Sequence, residues 1–263
     1  MVPVRFPPVE DILLAKAPLR EVICQVKFPL ILRIMEEKPV EFQEMVRARF
    51  PVLEVERPLQ IAPEKAMAGT SIDLRPPVYR FHTSERKRTA SLAPDFYALS
   101  NSEYAHWVDF AEDLSYVTDA VRRVYEIPYA TRVGLRYVNF IDGRFVDSGR
   151  LEDVYQLLRP ELTAMLRVGV ISSPALAIAE MRIPEGEVEG ISEWFTFRYG
   201  IPRKEEPSGS GFVLDFDRYG EGQIDLNLVL PRCDLYHEEI YRAFRWCILE
   251  EGLAAFRPVS REA

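Results

Sequence analysis

The run Thr131 to Ile141, T-R-V-G-L-R-Y-V-N-F-I, constrains the fold more than any other stretch, because its polar and apolar residues alternate with a period of two. Side chains two apart share one face of a strand. Arg132, Gly134 and Arg136 therefore line one side, and Val133, Leu135, Tyr137 and Ile141 the other. The second set belongs against a core, and the first set carries two guanidiniums where a simple half-buried strand needs none.

A first strand follows the same rule from Leu19 to Phe28, with Val22, Cys24, Val26 and Phe28 on one face. Pro39 then opens a short helix with Val40, Phe42, Met45, Val46 and Phe50 at helical spacing, and Pro51 ends it, since proline suits a first helical turn but not an interior. Between Val52 and Ser100 frequent prolines break the chain into hairpins, of which Val78–Phe81 and Phe96–Leu99 are the best strands. Trp107, Phe110, Ala111, Leu114, Val117, Val121, Val124 and Tyr125 recur every three or four residues, which predicts a long helix with one apolar stripe.

After Thr131 to Ile141 the order repeats. Leu151 to Met165 has helical spacing interrupted at Pro160, and Arg167 to Arg182, Glu193 to Tyr199 and Gly211 to Asp217 read as strands. Tyr219-Gly220-Glu221-Gly222 predicts a turn, Gln223 to Leu230 a returning strand, and Leu235 to Ile248 a closing helix that Gly252 terminates. The expected class is α+β, a duplicated β-α-β-β-β-β-α arrangement with antiparallel sheets packed on long helices. It resembles the TATA-binding-protein-like and helix-grip folds, a topological likeness that carries no function. The expected organisation is a lead (1–18), two halves (19–130 and 131–252) and a tail (253–263).

The 263 residues, 48% hydrophobic and 28% charged, suffice for a sizeable core. A net charge of −8 disfavours a nucleic-acid backbone as the direct partner, since phosphates call for surplus Lys and Arg. The one dense basic run, Glu85-Arg86-Lys87-Arg88, falls between two strand segments and reads as a hairpin tip. No apolar stretch is long enough to span a membrane, and Met-Val-Pro-Val-Arg-Phe-Pro-Pro lacks a signal-peptide core. Cys24, Cys233 and Cys247 form an odd set without paired spacing, which predicts buried thiols in a cytoplasmic protein.

Three segments taken together, Ala17-Pro18-Leu19-Arg20-Glu21-Val22-Ile23, Phe96-Tyr97-Ala98-Leu99-Ser100 followed by Tyr104 and Trp107, and Arg132 to Asn139, give the patterns P-x-x-E-V, F-x-x-x-S-x-x-x-Y-x-x-W and R-x-G-L-R-Y-x-N. Their order resembles that of a sporadically distributed bacterial family of uncharacterised proteins, over most of the first 145 residues. The resemblance implies no reaction and no catalytic residues. It implies an accessory role of the kind found in mobile gene sets, including antiviral defence systems.

Arg132 and Arg136, flanking Gly134 and followed by Asn139, have two readings. They can grip an anionic ligand bidentately, or pair with acids on neighbouring strands. Asp215 and Asp217 share a strand face, and the predicted turn sets them beside Asp225 and Asn227 as an acidic patch, a match for the arginines or a weak oxygen site for a cation. Cys233 and His237 have C-x-x-x-H spacing without the four ligands that a structural zinc needs, so no metal or cofactor is expected, and His237 reads as a surface or capping residue. No nucleophile elbow or phosphate loop occurs.

The candidates for contact with a partner protein are the acidic turn with Glu185, Glu187 and Glu189, the nearby Trp194, and Arg203 and Lys204 in the polar loop from Gly200 to Gly211. Trp194 also has a plain core reading. The expectation is a non-catalytic accessory protein that binds another protein of the same bacterial system. A receptor for a small anion held by Arg132 and Arg136 is the alternative, and a metal-dependent hydrolase using Asp215, Asp217 and Asp225 is the third.

Overall fold

The structure is a computed structural model that describes residues 6–56, 59–60, 73–74, 76–168, 174–203 and 210–259. The protein is α+β, with a large antiparallel sheet and several helices. In chain order the elements are β1 (Leu19–Lys27), α1 (Leu32–Glu36), α2 (Val40–Val46), β2 (Val52–Glu56), β3 (Leu59–Gln60), β4 (Asp73–Leu74), β5 (Val78–His82), β6 (Arg88–Ala93), β7 (Phe96–Asn101) and α3 (Trp107–Tyr125). They continue with β8 (Ala130–Asp142), α4 (Leu151–Val154), α5 (Pro160–Arg167), β9 (Ala177–Val188), β10 (Ile191–Ile201), β11 (Gly211–Ile224), α6 (Val229–Cys247) and α7 (Glu250–Ala255). Nine strands are hydrogen-bonded in the order β2-β5-β6-β7-β1-β8-β11-β10-β9, and β3 pairs with β4. Residue contacts divide the chain into two compact units, one of Met1–Val22, Gly134–Gly220 and Cys233–Ala263, the other of Ile23–Val133 and Glu221–Arg232.

The second unit is a meander closed by a helix. Antiparallel registers run Val52↔His82, Tyr79↔Leu92 and Ala93↔Phe96: β5, β6 and β7 follow one another through short turns, and β2 pairs with β5 across a longer stretch of sequence. Glu85–Lys87 form the tip between β5 and β6, with Arg86 in the left-handed region at φ 56. The stripe of α3 is buried at Phe110, Leu114, Val117 and Val121, as its spacing predicts. Each such side chain contributes about 1.5–3 kcal/mol, which outweighs the weak helix propensity of the valines. Asp113 lies on the same buried side, held by Arg49 Nη1 at 3.0 Å and Arg88 Nη1 at 2.6 Å.

The first unit is built on β10 and its antiparallel pairing with β9, from Ile191↔Val188 to Ile201↔Ala177 with one bulge at Glu193/Trp194. Inward residues of β10 and β11, among them Phe195, Phe197, Phe212 and Phe216, form an aromatic core, and the Phe197 and Phe216 rings stack at 4.9 Å. Pro160 occupies the first turn of α5, where its missing N–H costs nothing. The segments near the chain ends are joined here: Ala15 N–H donates to Arg257 O, Lys16 N–H to Phe256 O and Val259 N–H to Leu13 O.

Four expectations are corrected. Arg167 to Arg182 is not one strand: α5 runs to Arg167, and β9 starts only at Ala177. No turn occurs at Tyr219–Gly222, because β11 continues through it to Ile224. Gly220 is required instead by close packing, since a Cβ there would meet Tyr236 Oη at 2.9 Å and Ile191 Cγ2 at 3.0 Å. Gln223 to Leu230 is not a strand: Asp225 accepts from Asn227 N–H at 2.8 Å, caps a short 3-10 turn, and α6 begins at Val229. Gly252 lies within α7 rather than after α6. The closing helix ends at Cys247 because Arg159 N–H donates to Cys247 O and Leu249 N–H to Leu157 O, which draws the chain out of the helix.

Candidate functional site

Four strands of the first unit carry a row of charges on one face. Arg136 on β8 donates from Nε and Nη2 to both oxygens of Asp215 on β11, at 2.8 and 2.7 Å. Arg198 on β10 reaches Asp215 Oδ2 at 3.5 Å and donates from Nε to Glu180 Oε2 on β9 at 2.6 Å. Asp215 is only 4% exposed, so the fork of Arg136 and the nearby Arg198 offset its desolvation. The hydrogen bonds that Arg136 donates to Asp215 hold its guanidinium above its ordinary pKa against the opposing effect of burial, and the charges of Asp215 and Asp217 add to this. Asn139, also buried, donates to Leu214 O at 3.2 Å.

Of the residues predicted to act together, Arg136, Asn139, Asp215 and Asp217 are brought to neighbouring strands. Asp225 is not on a neighbouring strand: the turn expected after Asp217 is absent, and Asp225 caps the 3-10 segment that follows β11. Arg132 is half-buried on β8. An anion approaching Arg136 meets a guanidinium whose Nε and Nη2 are already committed.

His237 is not a surface or capping residue. It lies well inside α6, and its Nδ1 shares a 2.8 Å hydrogen bond with the Tyr137 hydroxyl. Desolvation lowers its pKa, and the charges of Asp11, Glu238 and Asp234 offset only part of that. Cys233, one helical turn earlier, is buried. Among the described residues no group of three or more His, Cys, Asp or Glu is placed to hold a metal ion.

A buried polar cluster escaped the sequence reading. Arg218 on β11 and Glu193 on β10 are each 5% exposed and lie 2.6 Å apart, Nη1 to Oε2. Arg218 Nε donates to Glu239 Oε2 at 2.5 Å, and the Tyr236 hydroxyl donates to Glu193 Oε2 at 3.0 Å. Burial opposes the charge on Arg218, yet Glu239 and Glu193 outweigh it and raise the pKa. A signal was present: Phe212, Leu214, Phe216 and Arg218 share a period-two face, as do Ile191, Glu193, Phe195 and Phe197, so opposite charges sit in otherwise apolar rows.

The contact candidates gather at the outer edge of this unit. Among the described residues β9 pairs only with β10 and ends the strand order. Glu185 and Glu187 belong to β9, and Glu189 and Gly190 form the turn into β10 with φ of 53 and 77. Trp194 is half-buried opposite Pro184, with the Arg182 guanidinium 4.1 Å from its ring. Its Nε1 is buried without a hydrogen-bond partner among the described residues. Arg203 is exposed just after β10, while Lys204 and residues 205–209 of the predicted loop lie outside the described residues.

Beneath β9, on the face opposite Glu180 and Arg182, runs an apolar groove of about 450 Å3. Leu162, Met181, Ile183, Phe195, Phe197 and Trp246 line it. Ile178 and Met181 are each 42% exposed on a strand that also shows Val188 to solvent. The groove is half-open and apolar, and it adjoins a strand edge that has no second partner strand among the described residues, an arrangement on which another chain can dock without a reactive group. Compared with known proteins, the chain matches no protein-family model and no curated protein. No described helix is long and apolar enough to cross a membrane.

Proposed function

We propose that the chain is a non-catalytic, cytoplasmic accessory protein that binds another protein of a bacterial multi-protein system, antiviral defence being the setting that the family resemblance implies. One observation carries this reading: β9 is a long edge strand with exposed apolar side chains, an adjoining groove and an acidic turn. Isolated edges of this kind invite pairing unless something covers them. The strong charges elsewhere in the unit, Arg136 with Asp215 and Arg218 with Glu193, are spent on one another, as a scaffold requires. Buried thiols at Cys24, Cys233 and Cys247 accord with a reducing compartment.

We also infer a duplicated architecture of the TATA-binding-protein or helix-grip type. Its support is the matching order of the halves. Each opens with a strand (β1, β8), continues through short helices (α1 and α2, α4 and α5) and an antiparallel meander, and closes with a 19-residue helix (α3, α6). In each, the opening strand is bonded to the last strand of its own meander, β1 to β7 and β8 to β11.

The test is affinity purification of the tagged chain from its native host, followed by native mass spectrometry. A stoichiometric protein partner is expected. Recovery of the chain alone, under conditions where the host expresses its neighbouring genes, refutes the reading.

A further inference from the structure

Resting on the accessory-protein reading, we propose that the partner contributes an extended, basic segment that pairs with β9 as an added strand. Its alternate apolar side chains enter the groove, and its Lys or Arg residues face the acidic end.

The backbone defines where such a segment can lie. From Ala177 to Ile183 β9 is regular and pairs residue for residue with β10, from Ala177↔Ile201 to Ile183↔Phe195. Pro184 then removes an N–H, and the register shifts at Glu193/Trp194. The usable edge is thus seven residues long, about 20 Å at 3.3 Å per residue. The two faces of this edge differ. Ala179, Met181 and Ile183 face the groove together with Tyr199, Phe197 and Phe195, whereas Glu180 and Arg182 lie on the charged face with Arg198 and Thr196. A strand laid alongside presents every second side chain to each face. It gains main-chain hydrogen bonds for affinity and apolar burial for selectivity.

Charge selects the occupant. β9 and its turn carry Glu180, Glu185, Glu187 and Glu189 against Arg182, a net charge of −3 (four acids, one base). Glu180 pairs with Arg198, and the other three acids all lie beyond Pro184. A second copy of this chain pairing edge to edge would bring −3 against −3, and like charges opposed across strands are destabilising. A basic segment meets the complementary field, which speeds encounter and fixes its direction along the edge.

The test screens the full-length chain against a displayed library of random twelve-residue peptides. The expected enrichment is an alternating apolar sequence with Lys or Arg clustered at one end. A synthesised winner should slow amide hydrogen exchange across 177–183. It should bind at least tenfold more weakly both to the Glu185→Lys, Glu187→Lys, Glu189→Lys triple variant and to Met181→Asp, variants whose altered side chains all lie outside the buried core. Several outcomes overturn the proposal: no enrichment, peptides without basic residues, protection confined to other segments, or unchanged affinity for the triple variant. Native mass spectra of a homodimer that Met181→Asp dissolves would also overturn it, in favour of self-pairing. A host partner retained equally by wild type and triple variant sinks this inference and leaves the accessory-protein reading standing. Absence of any host partner sinks that reading first.

Discussion

Replacing Arg218 with Met should destabilise the protein more than any single change at its surface, and the size of the loss follows from what stays behind. Glu193 is 5% exposed, and its carboxylate would lose a 2.6 Å charge-assisted contact while keeping the Tyr236 hydroxyl. Glu239 is better placed, since its side chain is 34% exposed and can turn to water. The carbonyl of Trp194 also loses a donor at 3.1 Å. Removing one partner of a buried pair costs about 3–5 kcal/mol, because an uncompensated charge remains in a low-dielectric interior. With a urea dependence of about 2–3 kcal/mol per molar, the midpoint should fall by about 1–2.5 M. Trp194 and Trp246 lie in the affected unit and Trp107 in the other, so fluorescence variants that keep one tryptophan at a time locate the loss. Adding Glu193→Gln to Arg218→Met removes the stranded charge and still offers an oxygen to Tyr236. The double variant should recover most of the stability. A single variant within about 1 kcal/mol of wild type, or a double variant as unstable as the single, would refute the account of Arg218 as a buried counter-ion.

Asp113→Ala should cost about 1–3 kcal/mol, less than Arg218→Met, because the freed Arg49 and Arg88 are more than a third exposed and rehydrate; a Trp107-detected urea titration measures it. Stability should also fall with pH below the ordinary histidine value of about 6.5. His237 and His82 have folded pKa values depressed, first of all by desolvation, so the unfolded chain binds protons that the folded one refuses. The loss should begin near that value as acid is added and shrink in a His237→Gln variant, as read from unfolding midpoints between pH 5 and 7.5. Gly200→Ala should destabilise β9 against β10 by about 1–3 kcal/mol, since Gly200 has φ +133 and a Cβ there would strike the Ala177 carbonyl; amide exchange across 177–183 should accelerate. The thiols of Cys24, Cys233 and Cys247 should resist a thiol reagent until urea unfolds the chain, because all three are fully buried and burial pushes the Cys247 pKa far up.

Elements were legible in the sequence wherever one face was apolar over several periods. β1, β8 and α3 emerge within a residue or two of their structural ends, since alternation or a helical stripe leaves one consistent burial pattern. Local glycine and proline signals misled where tertiary packing had set them. Gly220 looked like a turn residue, but it admits Tyr236 to the strand, and Gly252 looked like a helix terminator, although its Cβ would meet Leu157 O at 2.5 Å. The start of α6 was hidden because Ile224, Leu226 and Leu228 alternate like a strand, while the informative residues were Asp225 as a cap and Pro231 in the first turn. At the site, pairing Arg136 with Asp215 was one of two open readings, because a period-two face says what points together and not which strand lies alongside. Whether a strand lies at an edge depends on the whole strand order. β9 therefore carried no mark of its own in the sequence beyond its glutamates.

The bond between Ile12 N–H and the Tyr241 hydroxyl joins residues 229 positions apart, in the unit where Leu13–Lys16 also meet Phe256–Val259. A ribosome adding about 5–20 residues per second delivers the two sides of that seam about 10–50 s apart. For that interval the early side waits without its mate, and β9 and β10 are synthesised before the seam and before Trp246, the last wall of the groove. Late in its synthesis the chain thus shows the β9 edge to its surroundings before Tyr241 and the 256–259 segment can close the seam, and a chaperone has the opportunity to bind in that time.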